Sequence, residues 1–222
     1  MGENTVTFQD ILQNEEIRMY LEKGDKYIGT MGFTEHSMVH SQRVAKVAYE
    51  ILLALKYDAR TAELARIAGF MHDIGNVVNR IDHAQTGALM AYNILVRLGM
   101  SPREISKVIA AIGNHDEGTG TAVNQISAAL ILSDKTDVRR SRVRNRDFSK
   151  FDIHDRVNYA VEHSKVSVLE ERVIQLELKI DTEICSLIDY FEIFLNRMIM
   201  CRRAADFLNG KFRLMINGAK MV

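Results

Sequence analysis

The sequence predicts a mainly α-helical protein with a small C-terminal α+β unit. Up to about residue 145, apolar residues recur with the period of about 3.6 residues that amphipathic helices show. After residue 150, apolar and polar residues alternate in short segments, which is typical of strands with one buried face. We therefore expect a helical domain over residues 1–148, with N-terminal helices inside residues 1–33, and an α+β appendage over residues 149–222.

The N-terminal part of the chain is predicted to form short helices followed by a long one. Within residues 8–29, the candidates for burial in one or two short helices are Phe8, Ile11, Leu12, Ile17, Tyr20 and Leu21. A longer helix is predicted over residues 34–56, with Thr34 as its N-cap. His40 lies on the apolar stripe of this helix.

Four more helices complete the predicted helical domain. The first spans residues 58–73, capped by an aspartate at its start and followed by a glycine stop signal. The second begins near His83. The third begins at Ser101-Pro102-Arg103-Glu104, where serine caps the helix and proline occupies its first position, and it leads to His115. The last is predicted over residues 122–138.

The C-terminal unit is predicted to contain a β-hairpin, a long helix and a terminal strand. Apolar residues alternate with polar ones at Val157, Tyr159, Val161, Val166, Val168, Ile174, Leu176, Leu178 and Ile180. The long helix is expected over residues 183–208 and the strand over residues 212–216. The helix either covers the hairpin or makes a dimer contact, so a homodimer through the C-terminal unit is one expected assembly. His154 and His163 are predicted to be surface or strand residues.

Composition argues against several classes of partner. Lysine plus arginine and aspartate plus glutamate each number 29, so overall charge favours neither nucleic acid nor a membrane surface. The first ten residues lack the build of a signal peptide, and no apolar run approaches the roughly 20 residues that span a bilayer. Cys185 and Cys201 are too far apart within one predicted helix to form a disulfide. We therefore expect a reduced, cytoplasmic compartment.

Six potential metal ligands lie on apolar helix faces or at helix ends: His40, His72, Asp73, His83, His115 and Asp134. A single buried histidine usually finds a backbone partner, but a set of this kind in a helical bundle can converge on a cation. Mixed imidazole and carboxylate ligands suit Fe, Mn, Co, Ni or Zn better than Ca, and the lack of cysteine argues against a structural zinc site. Because six ligands exceed the need of one catalytic zinc, we expect two ions bridged by Asp73.

The ordered set His40, His72-Asp73 and Asp134 resembles the signature of the HD superfamily of metal-dependent phosphohydrolases, a helical-bundle fold. The segment His72-Asp73-Ile74-Gly75 matches its HDIG variant letter for letter. The additional His83 and His115 resemble the two-metal branches, which include cyclic-dinucleotide phosphodiesterases of the HD-GYP type and bacterial diadenosine tetraphosphate hydrolases. The resemblance covers roughly residues 34–145.

The chain departs from the HD-GYP pattern at three places. Asn76 stands where those proteins usually carry lysine, and Asn114-His115 replaces their two consecutive histidines. The loop Gly118-Thr119-Gly120 lacks the Tyr-Pro of the GYP motif. Hydrolysis of cyclic di-GMP is therefore not expected.

The resemblance implies hydrolysis of a nucleotide or another small phosphate ester or anhydride by a metal-activated water. Two divalent transition-metal ions are expected, with Fe or Mn favoured and Zn, Ni, Co or Mg also compatible. Asp73 is the predicted catalytic residue, which orients the attacking hydroxide. The predicted contacts to substrate phosphate are Arg43, Lys135, His36 and Arg140. Apart from Arg139 or Arg140, the basic run over residues 139–146 is expected to be solvated.

Two alternatives remain open from the sequence. Some HD-superfamily proteins are di-iron oxygenases that use the same six-ligand pattern. A regulatory HD protein that senses a nucleotide is the other alternative, although such a protein has no need of an intact metal site. The expected partner is a small, nucleotide-like phosphorylated molecule.

Overall fold

The computed structural model describes residues 5–145 and 147–222, and within them it has nine α-helices and one four-stranded sheet. The helices are α1 (Phe8–Gln13), α2 (Glu15–Thr30), α3 (Met38–Ala54), α4 (Ala59–Met71), α5 (His83–Arg97), α6 (Pro102–Gly113), α7 (Gln125–Lys135), α8 (Ile153–Ala160) and α9 (Leu187–Phe207). The strands are β1 (Val161–Leu169), β2 (Val173–Ile180), β3 (Lys211–Ile216) and β4 (Ala219–Lys220). The mainly α-helical class with a small C-terminal sheet is confirmed.

Side-chain caps set most helix starts. Asp58 caps α4 and Ser101 caps α6, as the sequence predicts. The predicted start of α3 at Thr34 is wrong, because Ser37 caps the helix instead and accepts a hydrogen bond from the backbone of Val39. Either hydroxyl can cap a helix, and a backbone bond to Arg142 keeps the segment just before Ser37 extended away from α3.

The last helix of the bundle is shorter than predicted. Its start is fixed by a capping box in which the side chains of Asn124 and Ser127 each bond the other's backbone. The helix ends at Lys135, where Thr136 turns its hydroxyl back onto the carbonyl of Leu132. Residues 122–123 and 136–138 are therefore outside α7, although the prediction included them.

Two glycines allow the helices of the bundle to approach closely. A Cβ atom on Gly69 of α4 would lie 2.9 Å from the Cα atom of Ala45 in α3. A Cβ atom on Gly75 would overlap the carbonyl oxygen of His83 and lie 2.7 Å from the backbone nitrogen of Gly87. The second approach brings the start of α5 against the end of α4, so two predicted ligand segments meet there.

The predicted alternation at the start of the C-terminal unit gives the wrong element. Residues Ile153–Ala160 form α8, because Asp152 caps the segment by accepting a 2.8 Å hydrogen bond from the backbone of Asp155. Val157 and Ala160 are buried three residues apart, as on one helix face. Period-two spacing over five residues did not distinguish this short helix from a strand.

The rest of the C-terminal unit follows the prediction. Strands β1 and β2 form an antiparallel hairpin, and α9 connects β2 to its parallel neighbour β3. Helix α9 begins after the capping residue Ser186 rather than at residue 183, so Cys185 lies before the helix and Cys201 inside it. Both cysteines are buried and free. The strand β4 was not predicted.

The two predicted units share one apolar core. Leu130 of α7, Leu176 of β2 and Phe194 of α9 belong to the same cluster of buried side chains. The boundary between residues 148 and 149 stays a prediction, and the apolar core is continuous across it. No helix among the described residues is long and apolar enough to cross a membrane.

Candidate metal centre

The structure brings all six predicted ligands together inside the bundle. They come from different helix ends: His40 from the first turn of α3, His72 and Asp73 from just after α4, His83 from the start of α5, His115 from just after α6, and Asp134 from the last turn of α7. The four imidazoles and Asp73 are at most 3% exposed. Helix ends therefore supply both the positions and the burial of the cluster.

The carboxylate of Asp73 lies between two groups of imidazoles. Its Oδ2 atom is 3.1 Å from Nε2 of His72 and 3.6 Å from Nε2 of His40. Its Oδ1 atom is 3.6 Å from Nε2 of His83. Asp134 adds an oxygen 3.4 Å from Nε2 of His40 and 3.7 Å from Nε2 of His72. Asp73 thus directs one oxygen toward each group.

Hydrogen bonds fix which nitrogen of each imidazole carries a proton. Nδ1 of His72 lies 2.8 Å from the carbonyl oxygen of Gly69, and Nδ1 of His83 lies 3.0 Å from that of Arg80. Nδ1 of His115 lies 2.6 Å from the carbonyl oxygen of Ile112, and Nδ1 of His40 lies 2.7 Å from Oδ2 of Asp137. Because these oxygens can only accept, Nδ1 donates in every case and a neutral imidazole keeps its lone pair on Nε2. Four lone pairs therefore point into the cluster.

This donor set fits a divalent metal ion. The Nε2 atoms of His40 and His72 are 3.3 Å apart, and those of His83 and His115 are 3.2 Å apart. Facing lone pairs at such distances repel each other unless a cation lies nearby. Among the described residues, the buried Oδ2 atom of Asp73 also has no hydrogen-bond donor, which is costly for a carboxylate. A cation would satisfy all of these atoms at once.

Burial and charge shift the pKa values of the imidazoles in different directions. Burial lowers the pKa of His115 to about 3 and also lowers the pKa of His83. Burial opposes protonation of His72 as well, but the negative charges of Asp73 and Asp134 outweigh it and raise the pKa of His72. Negative charge therefore exceeds positive charge around His72, which again favours a bound cation.

The two carboxyl groups of the cluster are held in their charged form. Burial alone would raise the pKa of Asp73, but the neighbouring His72 holds it well below the ordinary value. Lys135 acts in the same way on Asp134 against the effect of burial, since its Nζ atom lies 2.7 Å from Oδ2 of Asp134. Ionised carboxylates are the form that coordinates metals.

Asp137 supports the cluster although the sequence analysis gave it no role. One oxygen accepts the Nδ1 proton of His40 at 2.7 Å. The other accepts hydrogen bonds from Nε of Arg43 at 2.8 Å and from Nε of Arg139 at 3.0 Å. A carboxylate behind a metal-binding imidazole fixes its tautomer and orientation. The spacing of three residues from Asp134 is the signal that could have identified it.

The other predicted phosphate contacts divide between two places. Lys135 and His36 line the same cavity as the ligand cluster. His36 lies before α3, although the predicted helix over residues 34–56 included it, and its ring centroid is 5.6 Å from that of His40. Burial lowers the pKa of His36 well below its ordinary value, so it is neutral at pH 7.

The structure does not bring Arg43 and Arg140 to this cavity. They line a separate surface depression, because Arg43 is held by Asp137 and by the carbonyl of Ser164 at 2.8 Å. Arg140 donates to the carbonyl of Tyr159 at 2.6 Å and stacks over its ring. The basic run that the sequence analysis expected to be largely solvated instead contributes Arg142, which is 3% exposed and lines the cavity.

The cavity above the cluster has a volume of about 300 Å³. Its walls come from both predicted units, including Phe33 before α3, Arg80 before α5, and residues of α8 and α9. His154 is exposed, as predicted, but it lies on helix α8 and lines this cavity. The C-terminal unit therefore forms part of the candidate site.

The chain resembles known proteins over much of its length. Residues 38–192 match the family model of the HD domain. The chain is 22% identical over 200 residues to the uncharacterized protein MJ1020 of Methanocaldococcus jannaschii, covering 79% of this chain and 76% of that protein. A crystal structure of a predicted HD superfamily hydrolase from an uncultured Thermotogales bacterium shares 27% identity, with a TM-score of 0.46, over 60% of this chain and 68% of that one. Because the HD-domain match spans more than half of its residues, the chain belongs to the HD-domain family.

Proposed function

We propose that this protein is a metal-dependent phosphohydrolase that cleaves a nucleotide or another small phosphate ester or anhydride. The observation that carries the proposal is the convergence of four imidazole lone pairs and two ionised carboxylates beneath a cavity lined by cationic side chains. Phosphate groups need positive charge on several sides during hydrolysis. The cluster and the cavity together provide positions for that charge.

The proposed ligands divide into two sets that share Asp73. His40, His72, Asp73 and Asp134 would hold one ion, and His83 and His115 would complete the site of a second ion with Asp73. The two oxygens of Asp73, which face opposite groups of imidazoles, support a bridging role. Fe or Mn is favoured, and Zn, Ni, Co or Mg is compatible. When bound, the ions would supply a water of lowered pKa and neutralise phosphate charge.

The protein's own residues would position the substrate and the attacking water. Hydrolysis forms a bond between a water oxygen and phosphorus and breaks the bond to the leaving oxygen, which regains a proton. Asp73 would orient the water, because its carboxylate lies between the two groups of imidazoles. Lys135 and Arg142 line the cavity beside the cluster and would contact the phosphate oxygens.

Metal analysis joined to a phosphate-release screen tests the proposal. The purified protein is expected to contain transition metal and to hydrolyse at least one mono-, di- or cyclic nucleotide or sugar phosphate, detected as free phosphate or, for a cyclic nucleotide, as the monophosphate product. Asp73→Ala should lose both metal and turnover. Asp206→Ala, an exposed position on α9, is the matched control and should keep both.

Three results would contradict the proposal. If Asp73→Ala kept wild-type metal content and turnover, the proposed site would be wrong. If the metal-loaded protein consumed a substrate only with dioxygen and released no phosphate, the di-iron oxygenase alternative would replace the hydrolase. Nucleotide binding without any turnover would favour the regulatory alternative.

A cytoplasmic location and a homodimer through the C-terminal unit stay predictions. Helix α9 leaves Ile188 79% exposed and Leu195 50% exposed, two apolar residues seven positions apart on one face. This face is consistent with a contact between copies of the chain.

A further inference from the structure

The cavity above the ligand cluster has two chemically different walls. The wall beside the cluster carries the cations Lys135 and Arg142. The wall formed by α8 and its N-cap carries the carboxylates of Asp152 and Asp155 together with Asn158 and His154. A phosphate group is attracted to the first wall and repelled by the carboxylates of the second. The cavity therefore gives a phosphate ester a preferred direction.

Arg142 marks the phosphate end. It is 3% exposed, and its Nε and Nη1 atoms donate to the carbonyl oxygens of Glu35 at 2.9 Å and Asp137 at 2.8 Å. Within the described residues its Nη2 atom has no hydrogen bond, and the guanidinium forms no ion pair with a carboxylate. A buried guanidinium is costly without an anion, and its fork geometry suits a phosphate.

The α8 wall offers hydrogen-bond acceptors. Asn158 lines the cavity, is 5% exposed and donates its Nδ2 proton to the carbonyl of His154 at 2.9 Å, while its Oδ1 atom accepts no hydrogen bond from the described residues. Asp152 uses Oδ1 to cap the helix. The carboxylate of Asp155 accepts no hydrogen bond from the residues that the structure describes. Burial, with the negative charge of Asp152, raises the pKa of Asp155. A hydrogen-bond donor from a ligand would stabilise the charged form of this carboxylate.

The size of the cavity and its aromatic side chains limit what fits between the walls. A volume of about 300 Å³ is at the lower end of the range of roughly 300–1,000 Å³ for small-molecule pockets. Phe33, which is 40% exposed, and Phe194 also line it. One phosphate with one compact organic group suits a space of this size.

We infer that the substrate is a small phosphomonoester whose leaving alcohol carries hydrogen-bond donors, and that Asp155 on α8 determines this specificity by accepting from them. The inference rests on the proposed phosphohydrolase function. The donors are sugar hydroxyls or an amino group. Cleavage breaks the bond between phosphorus and the ester oxygen, and that oxygen leaves as an alcohol after taking a proton. Asp155 contacts the alcohol part and takes no part in bond breaking.

Steady-state kinetics with the metal-loaded 222-residue chain tests the inference. The probes are ribose 5-phosphate with vicinal hydroxyls, phosphoethanolamine with an amine, and phenyl phosphate, whose leaving group carries no donor. Asp155→Ala removes the acceptor, and Asp155→Asn removes its charge. Asp206→Asn, exposed on α9 and outside the cavity, is the matched control.

The wild type is expected to prefer one of the donor-bearing esters over phenyl phosphate. In Asp155→Ala, kcat/KM for that ester relative to phenyl phosphate should fall roughly 10-fold to 100-fold, the effect of losing a hydrogen bond to a charged group. The Asp155→Asn value should lie between those of Asp155→Ala and the wild type. Preference for ribose 5-phosphate identifies hydroxyl donors, and preference for phosphoethanolamine identifies an amine.

Two outcomes would overturn the inference while leaving the proposed function intact. One is equal turnover of all three esters by the wild type, and the other is an unchanged ratio in Asp155→Ala. Absence of turnover on these esters and on the nucleotides of the phosphate-release screen would instead reject the proposed function. Calorimetric titration of the same esters measures binding without turnover. If Asp155→Ala bound the donor-bearing esters with wild-type affinity, the inferred role of Asp155 would be contradicted.

Discussion

Replacing Asp137 with asparagine tests how a residue outside the ligand set controls the metal centre. The buried carboxylate bridges His40, at 2.7 Å, and the Nε atoms of Arg43 and Arg139, at 2.8 and 3.0 Å. Burial favours its neutral form, but the bond to His40 and the nearby arginines outweigh burial and lower the pKa of Asp137. The native residue is therefore an acceptor on both sides.

Asparagine can accept on only one of these sides. With its oxygen toward the arginines it keeps two of the three bonds, whereas the opposite orientation places its amide N–H groups against two donors. The first orientation is therefore favoured, and the amide then donates to Nδ1 of His40. This moves the imidazole proton to Nε2 and removes the lone pair that faces the cluster.

The expected loss follows from the structure. One hydrogen bond to a charged group is worth about 1.5–3 kcal/mol, or roughly 10-fold to 150-fold in a binding constant. Substitutions of residues that hold a metal ligand typically cost about 10-fold to 100-fold in metal affinity or activity. We therefore expect Asp137→Asn to bind Mn²⁺ or Zn²⁺ roughly 10-fold to 100-fold more weakly than the wild type.

Isothermal titration of the metal-free protein measures this loss, with circular dichroism to check that each variant is folded. Glu35→Gln is the matched control, since Glu35 contacts the same Arg139 at 3.0 Å but does not touch His40. Its metal affinity should stay within about twofold of the wild type, because Glu35 holds none of the proposed ligands. A folded Asp137→Asn protein with wild-type metal affinity would refute the reasoning.

Two further predictions concern packing and thiol chemistry. Gly75→Ala should lower the free energy of unfolding by about 1–3 kcal/mol or more, because backbone atoms of His83 and Gly87 occupy the space of the new Cβ atom. Gly113→Ala is the control and should be neutral or stabilising, because among the described residues its new Cβ atom would meet Ala88 alone, at 3.6 Å. Thermal denaturation compares the two variants, and equal melting temperatures would contradict the packing argument. Burial raises the pKa of Cys201 to about 12 and also raises the pKa of Cys185. A thiol reagent at pH 8 should therefore react slowly with both cysteines in the native protein, and rapidly with both after unfolding in guanidinium. Rapid labelling of Cys201 in the native protein would show that its surroundings open more readily than its burial indicates.

The sequence predicted the helical bundle well because its signals are local. Asp58 and Ser101 cap their helices in the structure, and each depends only on a polar side chain next to an apolar period. Local signals also explain the errors. Thr34 and Ser37 offer the same hydroxyl, and Val157 and Val161 fit either a strand or a helix. Packing against the rest of the protein decided these cases.

The sequence by itself determined the family and the six residues that converge, because the order and spacing of His40, His72-Asp73 and Asp134 are properties of the chain. Only the tertiary structure decided which cations share the cavity. Arg43 and Arg142 are both plausible phosphate contacts in a sequence, but Asp137 and Ser164 hold the first away from the cavity, while two backbone carbonyls hold the second inside it. The same is true of α8, whose place over the cluster depends on contacts between residues far apart in sequence.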